Sequence, residues 1–367
     1  MGIQIVSVVV GADCLHSAGI GGALEGVAAE RVCGVVCYGV SGEVGYHLLL
    51  SNLKSAIRGI FGSCVPVTLI PQQLLPGGGL RIDIYTLEQG CEVEFSELSG
   101  VCYGRMHGGS LIFIEGVAAS DFTASVAEQS REVFGRIEQI LALHGFSVDD
   151  IVRQWNYIGS IVGYRGDRQN YQEFNDARTH FYAQGQWQRG YPAATGIGAE
   201  GEGVIVGCIA YRGEEVYPID NPLQVAAHSY SREVLIDSRA DAMKSTPKFE
   251  RAKLIQTPLG AICFVSGTAA IRGEQSIEAQ SVELQTERTI ENIAHLVSTE
   301  NLERCGCKPY ELRYAQLQVF IKHARDYEAV RAIVEQAYGQ VAVVYTVADV
   351  CRSELLVEIE GILTANI

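Results

Sequence analysis

Near its end the chain reads LLVEIEGIL, an apolar strand pattern that carries Glu358 and Glu360. Side chains two apart on a strand point the same way, so the two carboxylates share a face. Carboxylates are rarely buried without a partner. Two readings fit this pair. On an edge or an open sheet face, one or both meet water. In a partly apolar pocket, desolvation lifts a carboxyl above its ordinary value of ~4.3, and a like charge beside it lifts it further. Such a group can deliver a proton near neutrality.

Other residues could serve the same chemistry. Arg178 lies in YQEFNDARTHFY, Arg232 in AAHSYSREVL and Arg251 in PKFERAKL. Each is either a solvated surface charge or a guanidinium fork that clamps a carboxylate in two places. The stretch SGTAA (266–270) follows the apolar run AICFV. Its small residues mark either a close-packed exit from a strand or a nest of N–H groups facing an anion. GIGAEG (196–201) matches the glycine spacing of a dinucleotide site, but a strand pattern follows it, so it reads as a hairpin turn. No phosphate-binding loop, HExxH or GxSxG motif occurs, and the eight histidines show no ligand spacing. No cofactor and no metal are expected.

The chain has 367 residues, of which 47% are hydrophobic, enough for two or three domains with a sizeable core. A formal net charge of -15 argues against nucleic acid as a partner. An anionic substrate would need a local arginine pocket working against that field. The 11 cysteines include no CxxC pair and no zinc spacing, so they read as free thiols in a reducing cytoplasm. The opening MGIQIVSVVV lacks a basic segment and alternates like a strand, not like a signal peptide. No apolar run approaches membrane-spanning length, so a soluble cytoplasmic protein without a membrane partner is expected.

The elements that must position these groups are duplicated. Phe113 to Ala119 matches Phe264 to Ala270, and Gln129 to Gly145 matches Gln285 to Asn301 as a helix. Val133, Ile137, Ile140 and Leu141 in the first helix, and Ile290, Ile293 and Leu296 in the second, follow helical spacing. DDIVRQWNYIG pairs with LRYAQLQVFIKH as strands, YQEFNDARTHFYAQG with YEAVRAIVEQAYGQ as helices, and GVIVGCIAY with ELLVEIEGI as strands. Each unit therefore reads strand, helix, strand, helix, strand, an α+β layer with helices on one sheet face. The units span 106–235 and 236–367. Residues 1–105 read as an N-terminal α+β subdomain or a degenerate third unit. On this alignment Glu358 falls opposite Gly207 and Glu360 opposite Ile209, so the acids belong to one copy only. Asymmetric decoration of a repeated scaffold suits a single active site.

Several stretches together resemble the chorismatases, bacterial chorismate-cleaving enzymes with a fold like the Rid (YjgF-like) imine deaminases and trimeric chorismate mutases. The residues that carry it are RQWNYIG (153–159), YQEFNDAR (171–178), YPAATGIGAEG (191–201), NPLQVAAHSY (221–230), PKFERA (247–252), FVSGTAAIRGEQS (264–276) and ADVCRSELLVEIEG (348–361). The resemblance implies that Glu358 protonates the methylene of the enolpyruvyl ether and that Glu360 supports it. It implies chorismate as the small-molecule partner, with Arg178 as the first candidate for its carboxylates and Arg232 and Arg251 next. Gly267, Thr268 and Ala269 would wall the ring, and Tyr230 would donate a hydrogen bond. In the family a Cys seven residues before the acid favours aromatic products, and Cys351 stands there. A residue smaller than Ala after SGT accompanies the same chemistry, and this chain has Ala269. Pyruvate plus 3-hydroxybenzoate, or a dihydroxycyclohexadiene carboxylate, is the implied outcome.

The sequence departs from the family at His228, where a second Tyr is usual. It departs again at Ser231 and EVLIDSRADAMKS, which replace a Pro and a YGP element bordering the substrate. A Rid-like enamine or imine hydrolase is a rival reading, but no Arg precedes Cys351 in YTVADVC as that family requires. A non-catalytic binding protein on the same scaffold is the other rival. Related proteins are trimers with sites at subunit junctions, so a chain of two or three units implies a pseudo-trimeric monomer with its site between units.

Overall fold

One order of elements occurs three times along the chain. Strand Ile3–Val10, helix Ser17–Leu24, strand Val32–Tyr38, helix Tyr46–Phe61, strand Val67–Ile70 and strand Leu80–Leu87 form the first set. Leu111–Ala118, Val126–Leu143, Ile151–Gly159, Asn170–Tyr182, Ala193–Ala199 and Val204–Tyr211 form the second. Gly260–Ala269, Val282–Leu296, Arg313–Ile321, Tyr327–Tyr338, Val343–Val347 and Val357–Ala365 form the third. These elements come from a computed structural model, which describes residues 3–25, 32–40, 45–62, 64–87, 92–231, 245–258, 260–277 and 281–365. The boundary expected at residue 235 lies outside the described residues.

In each set the last strand sits antiparallel between the first and second, and the third lies parallel to the second. The parallel pair is joined by a helix, as a parallel crossover needs. The architecture is α+β with helices on mixed sheets, as the sequence reading expected. Strands Glu94–Leu98 and Val101–Met106 widen the second sheet, and Val216–Ile219 and Ala252–Thr257 widen the third. Among the described residues no helix is long and apolar enough to cross a membrane.

Local chemistry explains the helices. Ser125 and Glu128 form a reciprocal capping box at the start of Val126–Leu143, and Ser281 caps Val282–Leu296. The expected stripe Val133, Ile137, Ile140 and Leu141 is buried, with Phe134 beside it. Burying each such side chain is worth roughly 1.5–3 kcal/mol. One core lies between each sheet and its own helices. The opposite faces of the three sheets turn toward one another. Gln72 stitches the sheets together: its amide donates to the Gly198 carbonyl at 2.6 Å and accepts from the Thr346 hydroxyl at 2.9 Å. The next two residues, Gln73 and Leu74, form the edge strand of the third sheet beside Val343–Val347.

Four expectations need correction. SGTAA does not follow its strand: most of it continues Gly260–Ala269, through a register shift between Val265 and Thr268. The equivalent irregularity occurs at Glu115 and Gly116. Because the chain between the paired strands is two residues longer in the third set, the true equivalence of the last strands is two residues out of step with the sequence offset. Ile205 lies opposite Ala118 and Glu358 opposite Ala269, so Ile205 matches Glu358 and Gly207 matches Glu360. GIGAEG is no hairpin, since Ala193–Ala199 and Val204–Tyr211 flank Ile151–Gly159 on opposite sides. Not every cysteine is free: Cys64 and Cys102 form a disulfide.

Gly116 has φ +61°, and a Cβ there would overlap the Val67 carbonyl of the neighbouring sheet. Both the left-handed backbone and the contact between sheets require glycine. Gly116→Ala is expected to lose at least about 2 kcal/mol of stability. Urea unfolding measures this, and an unchanged midpoint contradicts it.

Candidate active site

Strand Val357–Ala365 lies inside the third sheet, between Gly260–Ala269 and Arg313–Ile321. Alternation sends Val357 and Ile359 into the core under the helices. Glu358 and Glu360 take the other face, toward the second set of elements. They are 5% and 6% exposed, which removes the solvent-facing reading.

Glu360 is clamped across the junction. Its carboxylate accepts from Arg153 Nη2 at 2.6 Å, from Trp155 Nε1 at 3.0 Å and from the Thr195 hydroxyl. All three donors stand on Ile151–Gly159 and Ala193–Ala199. The Arg153 guanidinium also lies 4.5 Å from the Trp155 ring centre. Thr195 accepts in turn from the Gly267 N–H at 3.0 Å, which ties the bulge to the same network.

Glu358 makes no ion pair among the described residues. Burial, then the neighbouring Glu360 charge, pushes its carboxyl up to about 8, although Arg153 and Arg251 pull the other way. A Cβ at Gly267 would overlap the Glu358 carboxylate, so glycine is what admits the acid to this position.

Glu358 opens onto a cavity of about 770 Å³ walled by both sets of elements. Tyr171, Gln172 and Asn175 come from helix Asn170–Tyr182, and Gly267, Ala269 and Cys351 from the other side. The Cys351 thiol is pushed up to about 12 by burial and by Glu358, so it stays protonated. Tyr230 lies between two guanidinium groups, with Arg251 at 5.7 Å and Arg352 at 5.3 Å from its ring. Arg251 donates to the Tyr230 hydroxyl at 2.8 Å and to the Val225 carbonyl, and its Nε has no partner among the described residues. Arg352 donates to the Glu274 carbonyl and the Ser276 hydroxyl, each at 3.1 Å.

The cavity thus gathers Glu358, Cys351, Tyr230, Arg251, Gly267 and Ala269 from the sequence candidates. Arg178 does not reach the wall. It is 2% exposed and donates to Asn175 at 2.7 Å, so it positions a lining residue from behind. Thr268 points away, because strand alternation that brings Gly267 and Ala269 to the cavity turns it inward; its hydroxyl donates to the Ser266 carbonyl. Arg232 lies outside the described residues. The sequence reading missed Arg352 and Arg153. Arg352 directly follows Cys351, and Arg153 opens the RQWNYIG strand, but spacing along the chain gives neither a partner.

Residues 90–210 match the family model described as chorismatase FkbO/Hyg5-like, N-terminal. A 3-hydroxybenzoate synthase of Streptomyces hygroscopicus is 31% identical over 280 residues, covering 74% of this chain and 78% of that protein. A chorismatase of Streptomyces rapamycinicus is 32% identical over 260 residues, covering 68% of this chain and 74% of its own. A solved chorismatase structure superposes with TM-score 0.76 at 22% identity, over 99% of this chain and 98% of that one. The length and identity of these matches decide the assignment: the chain belongs to the chorismatase family.

Proposed function

We propose that this chain cleaves the enolpyruvyl ether of chorismate and releases pyruvate, with Glu358 as the proton donor. One observation carries the reading. A buried carboxyl held protonated near neutrality faces a cavity whose other wall bears two guanidinium groups. The π electrons of the enolpyruvyl C=C take the Glu358 proton at the methylene carbon, and positive charge develops at the ether carbon. The Glu358 carboxylate left behind and Glu360 then lie on the side where that charge forms. Addition of water at the ether carbon and collapse of the adduct break the C–O bond. This yields pyruvate and a dihydroxycyclohexadiene carboxylate.

Chorismate also contains the atoms of a hydroxybenzoate plus pyruvate, so the aromatic product needs no net water. We favour 3-hydroxybenzoate, with the neutral Cys351 thiol and Ala269 shaping the ring pocket. Arg251 and Arg352 supply forks for the two carboxylates, and the Tyr230 hydroxyl remains able to donate to substrate. Three sheet units in one chain leave the cavity complete without a partner, and we read the protein as a monomer.

Purified protein given chorismate is expected to release pyruvate, measured by lactate dehydrogenase coupling, with the ring product identified by chromatography. Pyruvate at the level of the Glu358→Gln control contradicts the proposal, and turnover of 2-aminoacrylate instead would favour an imine hydrolase. Arg352→Met is expected to raise KM about 10- to 100-fold, the equivalent of one lost charge-assisted contact.

The sign of the pH dependence follows from Glu358. Its folded value of about 8 lies above the ordinary 4.5, so the acid form is favoured in the folded state. Activity is expected to fall as pH rises through about 8, and a flat profile there contradicts a general-acid role. The stability contribution of this group is full below 4.5 and is lost as pH rises to about 8. Glu358→Gln has no such loss. Its advantage in melting temperature should widen across that window and then level off. Light scattering should give one chain, 39.8 kDa, and a trimer contradicts the monomer.

A further inference from the structure

A second cavity, of about 160 Å³, lies where the open faces of the three sheets meet. It shares no lining residue with the cavity that holds Glu358. Tyr38 comes from the first sheet, Phe113 and Trp155 from the second, and Ile262 and Phe264 from the third. Within this mainly apolar wall, three N–H donors have no partner among the described residues. They belong to Arg153 Nη1, Gln316 Nε2 and Gln318 Nε2. The three residues are 1%, 6% and 5% exposed.

Their neighbours leave these atoms free. Arg153 Nη2 is taken by Glu360 and by Thr195 at 2.8 Å. Gln316 Oε1 accepts from the Tyr85 hydroxyl at 2.6 Å, which fixes the amide and leaves its nitrogen over. Buried polar groups are nearly always paired, so three orphan donors lining one cavity mark a place for an acceptor. The largely aromatic and aliphatic wall is poor housing for a cluster of waters. A dry engineered cavity of about 150 Å³ accommodates benzene, so this one has room for a single six-membered ring.

Charge selects further. The Arg153 charge is already met by Glu360, and Glu115 adds a second carboxyl to the wall, accepting from the Thr68 hydroxyl at 3.0 Å. An anionic guest would face the Glu360 carboxylate at low dielectric, while burial pushes the Glu115 carboxyl up to about 7. We infer that the central cavity binds a small neutral ring compound bearing a carbonyl-type acceptor, such as an aromatic amide or aldehyde. The donors of Gln316, Gln318 and Arg153 take the acceptor, and the aromatic wall takes the ring. This inference does not depend on the reaction at Glu358.

The chain has two tryptophans, so Trp187→Phe leaves Trp155 as a reporter in this wall. Titration of that full-length protein with benzamide should change Trp155 emission saturably. Benzoate, which is charged, and benzene, which has no acceptor, should each bind at least fivefold more weakly. Gln318→Leu should weaken benzamide at least fivefold, and Ile362→Phe, which fills the cavity, should abolish the response. In the wild-type protein, nuclear Overhauser contacts should join the benzamide ring to the Ile262 and Ile362 methyls. No saturable response, benzoate binding as tightly as benzamide, or indifference to Gln318→Leu would each overturn the inference. So would ring contacts confined to Tyr171 and Phe249 of the Glu358 cavity.

Discussion

The ion pair between Arg153 and Glu360 crosses the junction between two sheets and is buried on both sides, at 2% and 7% side-chain exposure. Taking two charges out of water is expensive, and attraction offsets it only with good geometry and further hydrogen bonds. Here Thr195 and Trp155 supply those bonds. The pair holds the Glu360 carboxylate in place, and its charge two residues along the strand helps to keep Glu358 protonated. Removing one partner alone would leave a buried, unmatched charge, at a cost of about 3–5 kcal/mol. One contact therefore ties the two sheets together and places a carboxylate beside the acid, adding to the burial that raises Glu358.

The repeat allows this junction to be compared with the one before it. In the second set, Gly207 takes the place of Glu360, and the carboxyl of Glu115 fills the space above it. Glu115 accepts from Thr68 of the preceding sheet, as Glu360 accepts from Thr195. A threonine–carboxylate contact thus closes both junctions, but from different strands. In this second junction Ile205 matches Glu358, so no acid stands at that position.

Much of this was legible in the sequence. Helical spacing at Val133, Ile137 and Ile140 and alternation around Glu358 are local signals, and both survived folding. The duplication was legible for the second and third sets because the first helix of each is long and capped by a serine. The first set hid its kinship: SAGIGGAL is glycine-rich, and weak intrinsic propensity conceals a helix that packing creates. The slip of two residues came from the connecting chain, which is two residues longer between the paired strands of the third set than between those of the second. The arginines were the least legible. Arg178, Arg251 and Arg352 look alike in the chain, and only tertiary placement puts one behind the wall and two on it. The Cys64–Cys102 disulfide joins residues 38 apart without any motif.

The two-residue edge strand Gln73–Leu74 has a consequence for how the molecule is made. It pairs with Thr346 and Val347, residues that leave the ribosome long after it. The edge strand and the Oε1 of Gln72 must therefore wait for their Thr346 and Val347 partners until the last sheet is synthesised. When that sheet arrives, its outer edge is capped by the beginning of the same chain, which denies the edge to neighbouring molecules. The last sheet is edged by a segment made long before it, so translation order and protection from aggregation meet in a single pair of residues.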